Sequence, residues 1–257
     1  MATVYGRPTI AGFSSDGLVD NQHIPDSMWT PQVYLGFEPD QGGGPSIYAT
    51  DMPNVEYLGG WGWDGSVWNT ARRATVLGYI ADLGGNYWLD HEFNDPSEWD
   101  AAVTTIEAEM DANVPAGIRG WWYSPFVPGE HDLGDYRTSN LSSYQSNVAD
   151  IMARPLPKGL GLIMSCYIAS AVTFDTWWKQ VAERCRVWRR RRRALNCFIS
   201  CHYDGEVAHG LQSTTEFTKQ AKAILNAGFS LTFWEYGDTW ANVSPYFDII
   251  VGLANGN

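Results

Sequence analysis

Two acidic residues, Asp90 and Glu92, have the type and spacing needed for acid/base chemistry. They end the apolar segment 87–92. In a β-strand, alternate side chains face the same side, so Trp88, Asp90 and Glu92 would share one face and the residues between them the other. Two carboxylates in one place can differ in pKa, so that one donates a proton while the other stays ionised. Repulsion from Asp90 favours Glu92 as the proton donor.

Other acids and aromatic residues follow several further strand-like segments. The candidates for holding a substrate are Trp61, Trp63, Trp122, Tyr123, Tyr167, His202, Tyr203, Asp204, Trp234 and Tyr236, and Glu235 is a third candidate catalytic acid. Cleavage of a glycosidic bond needs an acid to protonate the leaving oxygen and a second group to stabilise or trap the cationic centre. Aromatic rings with a polar edge suit the recognition of sugars. The alternative is that these rings simply fill a core.

The elements that would bring these residues together alternate between strands and helices. The predicted strands are 9–13, 32–37, 55–61, 87–92, 118–123, 161–167, 197–203 and 230–235. Alternating strands and helices predict a parallel sheet, and eight repeats predict closure into a (β/α)8 barrel. We expect one TIM-type barrel domain over residues 1–257, with the active site at the carboxyl ends of its strands. An open doubly wound sheet is the alternative, but no Gly-x-Gly-x-x-Gly turn follows a strand.

Capping residues mark two of the predicted helices. Asp95 precedes Pro96 and lies three residues before Glu98, which predicts a helix start. Ser213 and Glu216 form a second capping box, and Gly228 is placed to end that helix. Further helices are expected at 70–83, 141–152 and about 174–193.

The composition narrows the class of partner. The chain has a net charge of −12, which disfavours nucleic acids and anionic membranes as partners. No apolar run approaches the roughly 20 residues of a membrane span. Aromatic residues make up 14% of the chain, including 13 Trp and 13 Tyr, which favours a polysaccharide or oligosaccharide as substrate. No metal-binding or cofactor motif is recognisable, so we expect neither a metal nor a cofactor.

The cysteines and the amino terminus bear on the compartment. Cys166, Cys185, Cys197 and Cys201 form no CxxC pair, and we expect buried free thiols. The segment 1–8 lacks the basic start and apolar centre of a secretory signal. We expect a protein that is extracellular or released from a host cell, either with its signal removed or exported by another route.

Two strand ends resemble a known family. Residues 88–92 resemble the Leu-Asp-x-Glu strand end of the family 25 glycoside hydrolases, which are barrel lysozymes that cut the peptidoglycan glycan chain. Residues 233–236 are similar to the Trp-Gln-Tyr of that family's last strand, and 55–61 lies about where its third strand should. The resemblance covers about four of eight strands. It implies that Glu92 is the proton donor and that Asp90 assists the N-acetyl group or the forming cation.

The chain also departs from that family. The first-strand acid is displaced to Asp16, and Glu235 replaces the glutamine of the last strand. If Glu235 faces Glu92, a retaining mechanism with Glu235 as the nucleophile becomes the natural interpretation. Two further hypotheses stay open: a non-catalytic carbohydrate-binding barrel, and a structural or assembly protein built on the same scaffold.

The arginine run 189–193 is the strongest positive feature. Guanidinium groups could dock an anionic polymer. The alternative is that these arginines form the solvated end of a long helix, where cations complement the helix dipole.

Overall fold

A closed ring of parallel strands forms the centre of the molecule. The structure, a computed structural model, describes residues 33–37, 56–91, 96–123, 155–190, 195–205, 207–234 and 240–256. The strands are β1 (Val33–Phe37), β2 (Glu56–Gly62), β3 (Asn86–Asp90), β4 (Gly120–Tyr123), β5 (Leu160–Ser165), β6 (Leu195–Ile199) and β7 (Ser230–Trp234). Each strand pairs with the next in parallel, and β1 pairs with β7. The prediction of a TIM-type barrel is therefore confirmed in its architecture.

The number of strands differs from the expectation. The described strands close the ring with seven members, because Val33 to Gly36 of β1 lie in register with Leu231 to Trp234 of β7. The expected first strand, 9–13, lies outside the described residues, so the prediction of eight strands is not confirmed. β6 also ends earlier than predicted, since a 3-10 helix, Tyr203–Gly205, begins shortly beyond it.

The two faces of the barrel strands carry separate cores. The inner core takes one fully or almost fully buried residue from each of β1 to β6: Tyr34, Leu58, Trp88, Trp121, Ile163 and Phe198. Residues at the alternate positions, such as Tyr57, Leu89 and Trp122, belong to a larger outer core between strands and helices. The strict alternation of strand side chains therefore decides which residues can face the interior.

Gly60 leaves room for the Trp88 ring in the inner core. A Cβ atom added to Gly60 of β2 would lie 1.9 Å from the Trp88 ring. Gly60 and Trp88 are register partners on neighbouring strands. The large indole therefore occupies the space that any side chain at position 60 would need.

Helices cover the outside of the barrel. They are α1 (Thr70–Leu83), α2 (Trp99–Asn113), α3 (Phe174–Arg190), α4 (Thr214–Asn226) and α5 (Trp240–Ala254). The Ser213 side chain accepts a hydrogen bond from the Glu216 N–H at the start of α4, which confirms this capping prediction. Gly228, just beyond α4, has a φ of 82°, as expected for a helix stop.

Some helix predictions have other outcomes. Residues 96–98 form a 3-10 turn before α2, and Glu98 occupies the cap position without a side-chain cap bond. Asp95 and the expected helix 141–152 lie outside the described residues. The sequence analysis missed α5, because Pro245 lies inside it and no capping box precedes it.

A polar cluster lies at the amino-terminal end of the inner face. Glu56 accepts hydrogen bonds from the Asn86 amide at 2.7 Å and from the Arg119 guanidinium at 3.5 Å. These residues begin β2, begin β3 and immediately precede β4. They pair their polar groups at the end of the barrel opposite the predicted catalytic face.

The four cysteines are buried free thiols, as predicted. The Cys185 and Cys197 sulfur atoms are 4.0 Å apart in the outer core. Hydrogen bonding to Cys166 and Cys185, together with burial, raises the pKa of the Cys197 thiol well above its usual value. Such thiols are poor nucleophiles. No helix in the described ranges is both long and apolar enough to span a bilayer.

Candidate active site

Asp90 lies at the carboxyl-terminal mouth of the barrel. It ends β3 two residues after Trp88, whose ring belongs to the inner core, and its side chain is half-buried. A Cβ atom added to Gly62, the register partner of Asp90, would lie 4.0 Å from the Asp90 Oδ2 atom. The carboxylate therefore lies against the inner face of β2, on the side that the sequence predicted.

Aromatic rings line the inner face beneath this carboxylate. Trp88 meets Phe198 and Trp234 edge to face, with ring centroids 5.5 and 5.4 Å apart. Phe198 also stacks on Trp234, at 5.9 Å and 19°. The Trp234 ring is half-buried. It lies between the buried inner core and the carboxyl ends of the strands.

Two half-buried tyrosines complete the aromatic part of the mouth. The Tyr123 ring packs against Phe198 at 5.4 Å, and its hydroxyl lies 2.6 Å from the Ser165 hydroxyl. Tyr167 packs against the same inner core, and Gly205 lies against its ring. Tyr123, Tyr167 and Trp234 thus pack against the inner core at the end of the barrel where Asp90 lies, and their role in binding a sugar stays a prediction.

Two other predicted catalytic acids lie outside the described residues. These are Glu92 and Glu235, and Tyr236 also falls in an undescribed segment. Only their positions in the sequence are known: Glu92 lies two residues after Asp90, and Glu235 directly follows Trp234. Their roles therefore remain predictions.

Trp61 and Trp122 do not lie at the mouth, although the sequence placed them there. Both side chains are fully buried in the outer core. The Trp61 indole N–H donates to Glu109 at 2.9 Å, and that carboxylate also accepts from Arg73 at 2.8 Å. In this position the two indoles support the barrel from outside, so we correct their assignment as sugar-binding residues.

Trp63 and Trp122 hold the chain that follows Asp90. The Trp63 ring lies parallel to the His91 ring, and its backbone N–H donates to the Asp90 carbonyl oxygen at 2.8 Å. The Trp122 indole N–H donates to the His91 carbonyl oxygen at 3.3 Å. Burial lowers the pKa of His91, and a backbone hydrogen bond and the charge of Glu98 act in the other direction. These contacts fix the backbone between the two predicted catalytic acids.

The loop after β6 ties its predicted site residues to the scaffold. His202 is almost fully buried, and its carbonyl oxygen accepts from the Gln212 side chain at 3.3 Å. Tyr203 packs against the outer core, and its hydroxyl donates to Glu216 of α4 at 3.2 Å. These contacts favour a supporting role for both residues. The Asp204 side chain lies outside what the structure describes.

Ser165 is a candidate site residue that the sequence analysis missed. It ends β5 on the inner face and is 1% exposed. Strand alternation places it two residues beyond the inward-facing Ile163, and this was the available signal. Among the described residues, no group of three His, Cys, Asp or Glu side chains is placed to hold a metal ion.

No protein-family model and no curated protein matches the chain. Solved structures of similar fold include bee venom hyaluronidase, with a TM-score of 0.54, 13% identity, and coverage of 88% of this chain and 100% of that chain. A protein from Cytophaga hutchinsonii has a TM-score of 0.51, 12% identity, and coverage of 82% and 78%. At these identities the likeness shows that the chain shares a TIM-type barrel fold with these structures.

Proposed function

We propose that this protein is a glycoside hydrolase that cleaves a polysaccharide with the paired acids Asp90 and Glu92. One observation carries the proposal: the half-buried Asp90 carboxylate lies on the inner face at the mouth of the barrel, directly beyond a ring-lined interior. In this architecture the carboxyl ends of the strands are the usual place for catalysis.

The two acids take different roles in the proposed reaction. Glu92 protonates the leaving oxygen, and Asp90 stabilises the cationic centre or the N-acetyl group that assists it, as the family 25 resemblance implies. The Trp63 backbone N–H donates to the Asp90 carbonyl oxygen, and the Trp122 indole N–H donates to the His91 carbonyl oxygen. These two bonds hold the backbone at Asp90 and His91, which supports a fixed position for the Asp90 carboxylate.

The half-exposed rings provide the surface for the sugar. Tyr123, Tyr167 and Trp234 lie around the carboxylate and are partly accessible. A pyranose ring can lie against such aromatic faces while its hydroxyls bond to polar groups at their edges. The polymer could be a peptidoglycan-type glycan or another polysaccharide that the protein meets after secretion or release.

The test is a degradation panel with purified protein. It contains peptidoglycan, several plant and algal polysaccharides, and hyaluronan, which is included because one protein of like fold is named a hyaluronidase. We expect one polymer to yield new reducing ends. Asp90→Asn and Glu92→Gln should each lower that rate by about 100-fold or more, whereas Asp111→Asn, an exposed change on α2, should not. Full activity of Asp90→Asn would refute the mechanism.

A retaining mechanism with Glu235 as the nucleophile is a variant of this proposal. It predicts that the product keeps the anomeric configuration of the substrate, and that azide restores turnover to Glu235→Ala by replacing the missing nucleophile. Proton NMR of the first product distinguishes the anomers. A Glu235→Gln variant with full activity would exclude this route and leave the Asp90 and Glu92 pair.

The second candidate function is carbohydrate binding without cleavage. The aromatic mouth favours it, since rings alone can hold a sugar. It predicts calorimetric binding of a glycan by the wild type, no product, and unchanged affinity of Asp90→Asn. A protein that neither binds nor cleaves any glycan, yet forms a stable oligomer, would instead support an assembly role.

A further inference from the structure

Three N–H groups inside the barrel lack an acceptor among the described residues. They are the Trp121 indole Nε1, the Asn196 amide Nδ2 and the Arg119 guanidinium Nη1, and all three atoms are buried without a hydrogen-bond partner there. The Trp121 and Asn196 side chains are also fully buried. Nearly every buried polar group in a folded protein is hydrogen-bonded, so three unmatched donors indicate that this interior binds an acceptor.

Strand alternation turns these three donors toward the same interior. Trp121 belongs to the inner core, and Arg119 lies two residues before it on the chain. Asn196 lies two residues before Phe198, which is also in the inner core. Arg119 immediately precedes β4, and Asn196 lies near the start of β6. The donors therefore lie toward the amino-terminal end of the barrel, away from the mouth.

Tyr34 of β1 is a neighbour of all three donors. Its ring meets the Trp121 ring edge to face, with centroids 5.9 Å apart. Burial raises the pKa of Tyr34, and the Arg119 guanidinium beside its hydroxyl lowers that pKa. The register partner of Tyr34 on β7 is Thr232, whose hydroxyl donates to the Asn196 Oδ1 atom at 2.8 Å. The three donors therefore lie around one small volume next to Tyr34.

The chemistry of the donors favours an ion over water as their ligand. The inner-core side chains Leu58 and Ile163 carry no acceptor. Both Glu56 oxygens already accept, one from the Asn86 amide and one from Arg119 Nη2. A buried water molecule brings hydrogens of its own that need acceptors, so a single water cannot serve three N–H groups. A halide ion has no hydrogen and accepts from every side.

We propose that the barrel interior binds a monatomic anion, with chloride as the abundant example, between the N–H groups of Trp121, Asn196 and Arg119. A buried anion needs hydrogen bonds and a nearby cation, and Arg119 supplies both. Glu56 offsets this positive charge only in part, because the pair is long, at 3.5 Å, and its side chains are 27% and 33% exposed. The same exposure gives the ion a route for exchange with solvent. The contact between the Tyr34 and Trp121 rings favours a small ion over a polyatomic one.

The experiment measures thermal melting of the purified protein in sodium chloride, with sodium gluconate added to keep the ionic strength constant. Gluconate is too large to enter the barrel. A ligand that binds only the folded protein should raise the melting temperature by about 3–5 °C for each tenfold rise in chloride above its dissociation constant. A melting temperature that does not change between about 1 and about 500 mM chloride would overturn the proposal, and water would then be the acceptor.

Two variants and one control assign the effect to this site. Trp121→Phe keeps a ring against Tyr34 and removes one N–H, so the melting temperature should begin to rise only at about 10- to 100-fold higher chloride. Asn196→Asp keeps the acceptor for Thr232 and adds a negative charge, so it should abolish the chloride dependence. Trp177→Phe is the control, because its indole N–H donates to a carbonyl oxygen outside the ring of strands, at 2.9 Å. It should melt lower in both salts and respond to chloride as the wild type does.

Other results would overturn this inference without touching the proposed hydrolase function, on which it does not depend. An unchanged chloride response in both Trp121→Phe and Asn196→Asp would mean that the ion binds elsewhere. Crystals soaked in sodium bromide give a further test that needs no variant, since anomalous scattering locates bromide directly. We expect a bromide peak in contact with the three nitrogen atoms, and a protein whose interior shows no such peak would refute the site.

Discussion

The Trp63 indole lies parallel to the His91 imidazole, with ring centroids 5.4 Å apart and an interplanar angle of 8°. Trp68 meets the same imidazole edge to face at 5.9 Å. The two indoles therefore enclose a titratable ring that immediately follows Asp90. Burial in these surroundings favours the neutral imidazole, which lowers the pKa of His91 from its ordinary value of 6.5.

This burial predicts a pH-dependent stability. Unfolded His91 takes up a proton near pH 6.5, whereas folded His91 does so only at lower pH. The free energy of unfolding should therefore fall as the pH drops below about 6.5, by at most about 1.4 kcal/mol per pH unit, and level off below the folded pKa. His91→Phe keeps an aromatic ring and should remove this share of the slope in urea titrations. His209→Gln, an exposed change, is the control, and an unchanged slope in His91→Phe would contradict the prediction.

A methyl group at position 60 should disturb the inner core. Gly60→Ala places a Cβ atom 1.9 Å from the Trp88 ring, which must shift. We expect a loss of about 1–3 kcal/mol in the free energy of unfolding. Gly78→Ala on α1 meets nothing within 4 Å and should gain about 0.5–1 kcal/mol. Chemical denaturation of both variants measures the contrast, and equal effects would argue against the observed Trp88 position.

Glu109 should be important for stability although it lies on α2, outside the ring of strands. Its carboxylate accepts from Trp61, Arg73 and Asn113 within 2.9 Å. Glu109→Ala leaves a buried indole N–H and a mostly buried guanidinium without this acceptor, so we expect a loss of about 3 kcal/mol. Asp111→Ala, on the exposed face of the same helix, should stay within about 0.5 kcal/mol. A small effect at Glu109 in urea unfolding would contradict this role.

The loop after β6 offers a matched pair of glycines. Gly205 and Gly210 have φ values of 74° and 81°, so alanine at either position pays a backbone cost of about 1–2 kcal/mol. Only at Gly205 would the new Cβ atom meet the Tyr167 ring, at 2.9 Å. Gly205→Ala should therefore lower both stability and glycan turnover more than Gly210→Ala. Equal turnover in the two variants would mean that the position of Tyr167 does not affect catalysis.

Strand alternation explains both the successes and the failures of prediction from sequence. It placed Trp88 and Asp90 on one face correctly, because residues 86–90 form a regular strand. The same rule, applied to β2 and β4, would have turned Trp61 and Trp122 outward. Trp61 and Trp122 were instead assigned to the mouth because each lies near the end of a strand. Their burial in the outer core follows from the alternation and not from their chemical type.

Other features depend on contacts that no local pattern encodes. The inward-facing Gly60 of β2 is explained only by the Trp88 ring that lies against it. The Tyr123 and Ser165 pair joins two strands whose register is set by the whole ring. Strand alignment with Ile163 indicates that Ser165 faces inward, but no local pattern predicts that its hydroxyl meets the Tyr123 hydroxyl. Helix boundaries such as Thr70–Leu83 were predictable, since Asn69 caps the helix through its own side chain.

The contact between Gly60 and Trp88 has an evolutionary consequence. The Trp88 ring occupies the space that a side chain at position 60 would need. A related barrel can therefore carry a residue larger than glycine at position 60 only if the residue at position 88 is smaller than tryptophan. In an alignment of divergent relatives, substitutions at positions 60 and 88 should therefore be correlated.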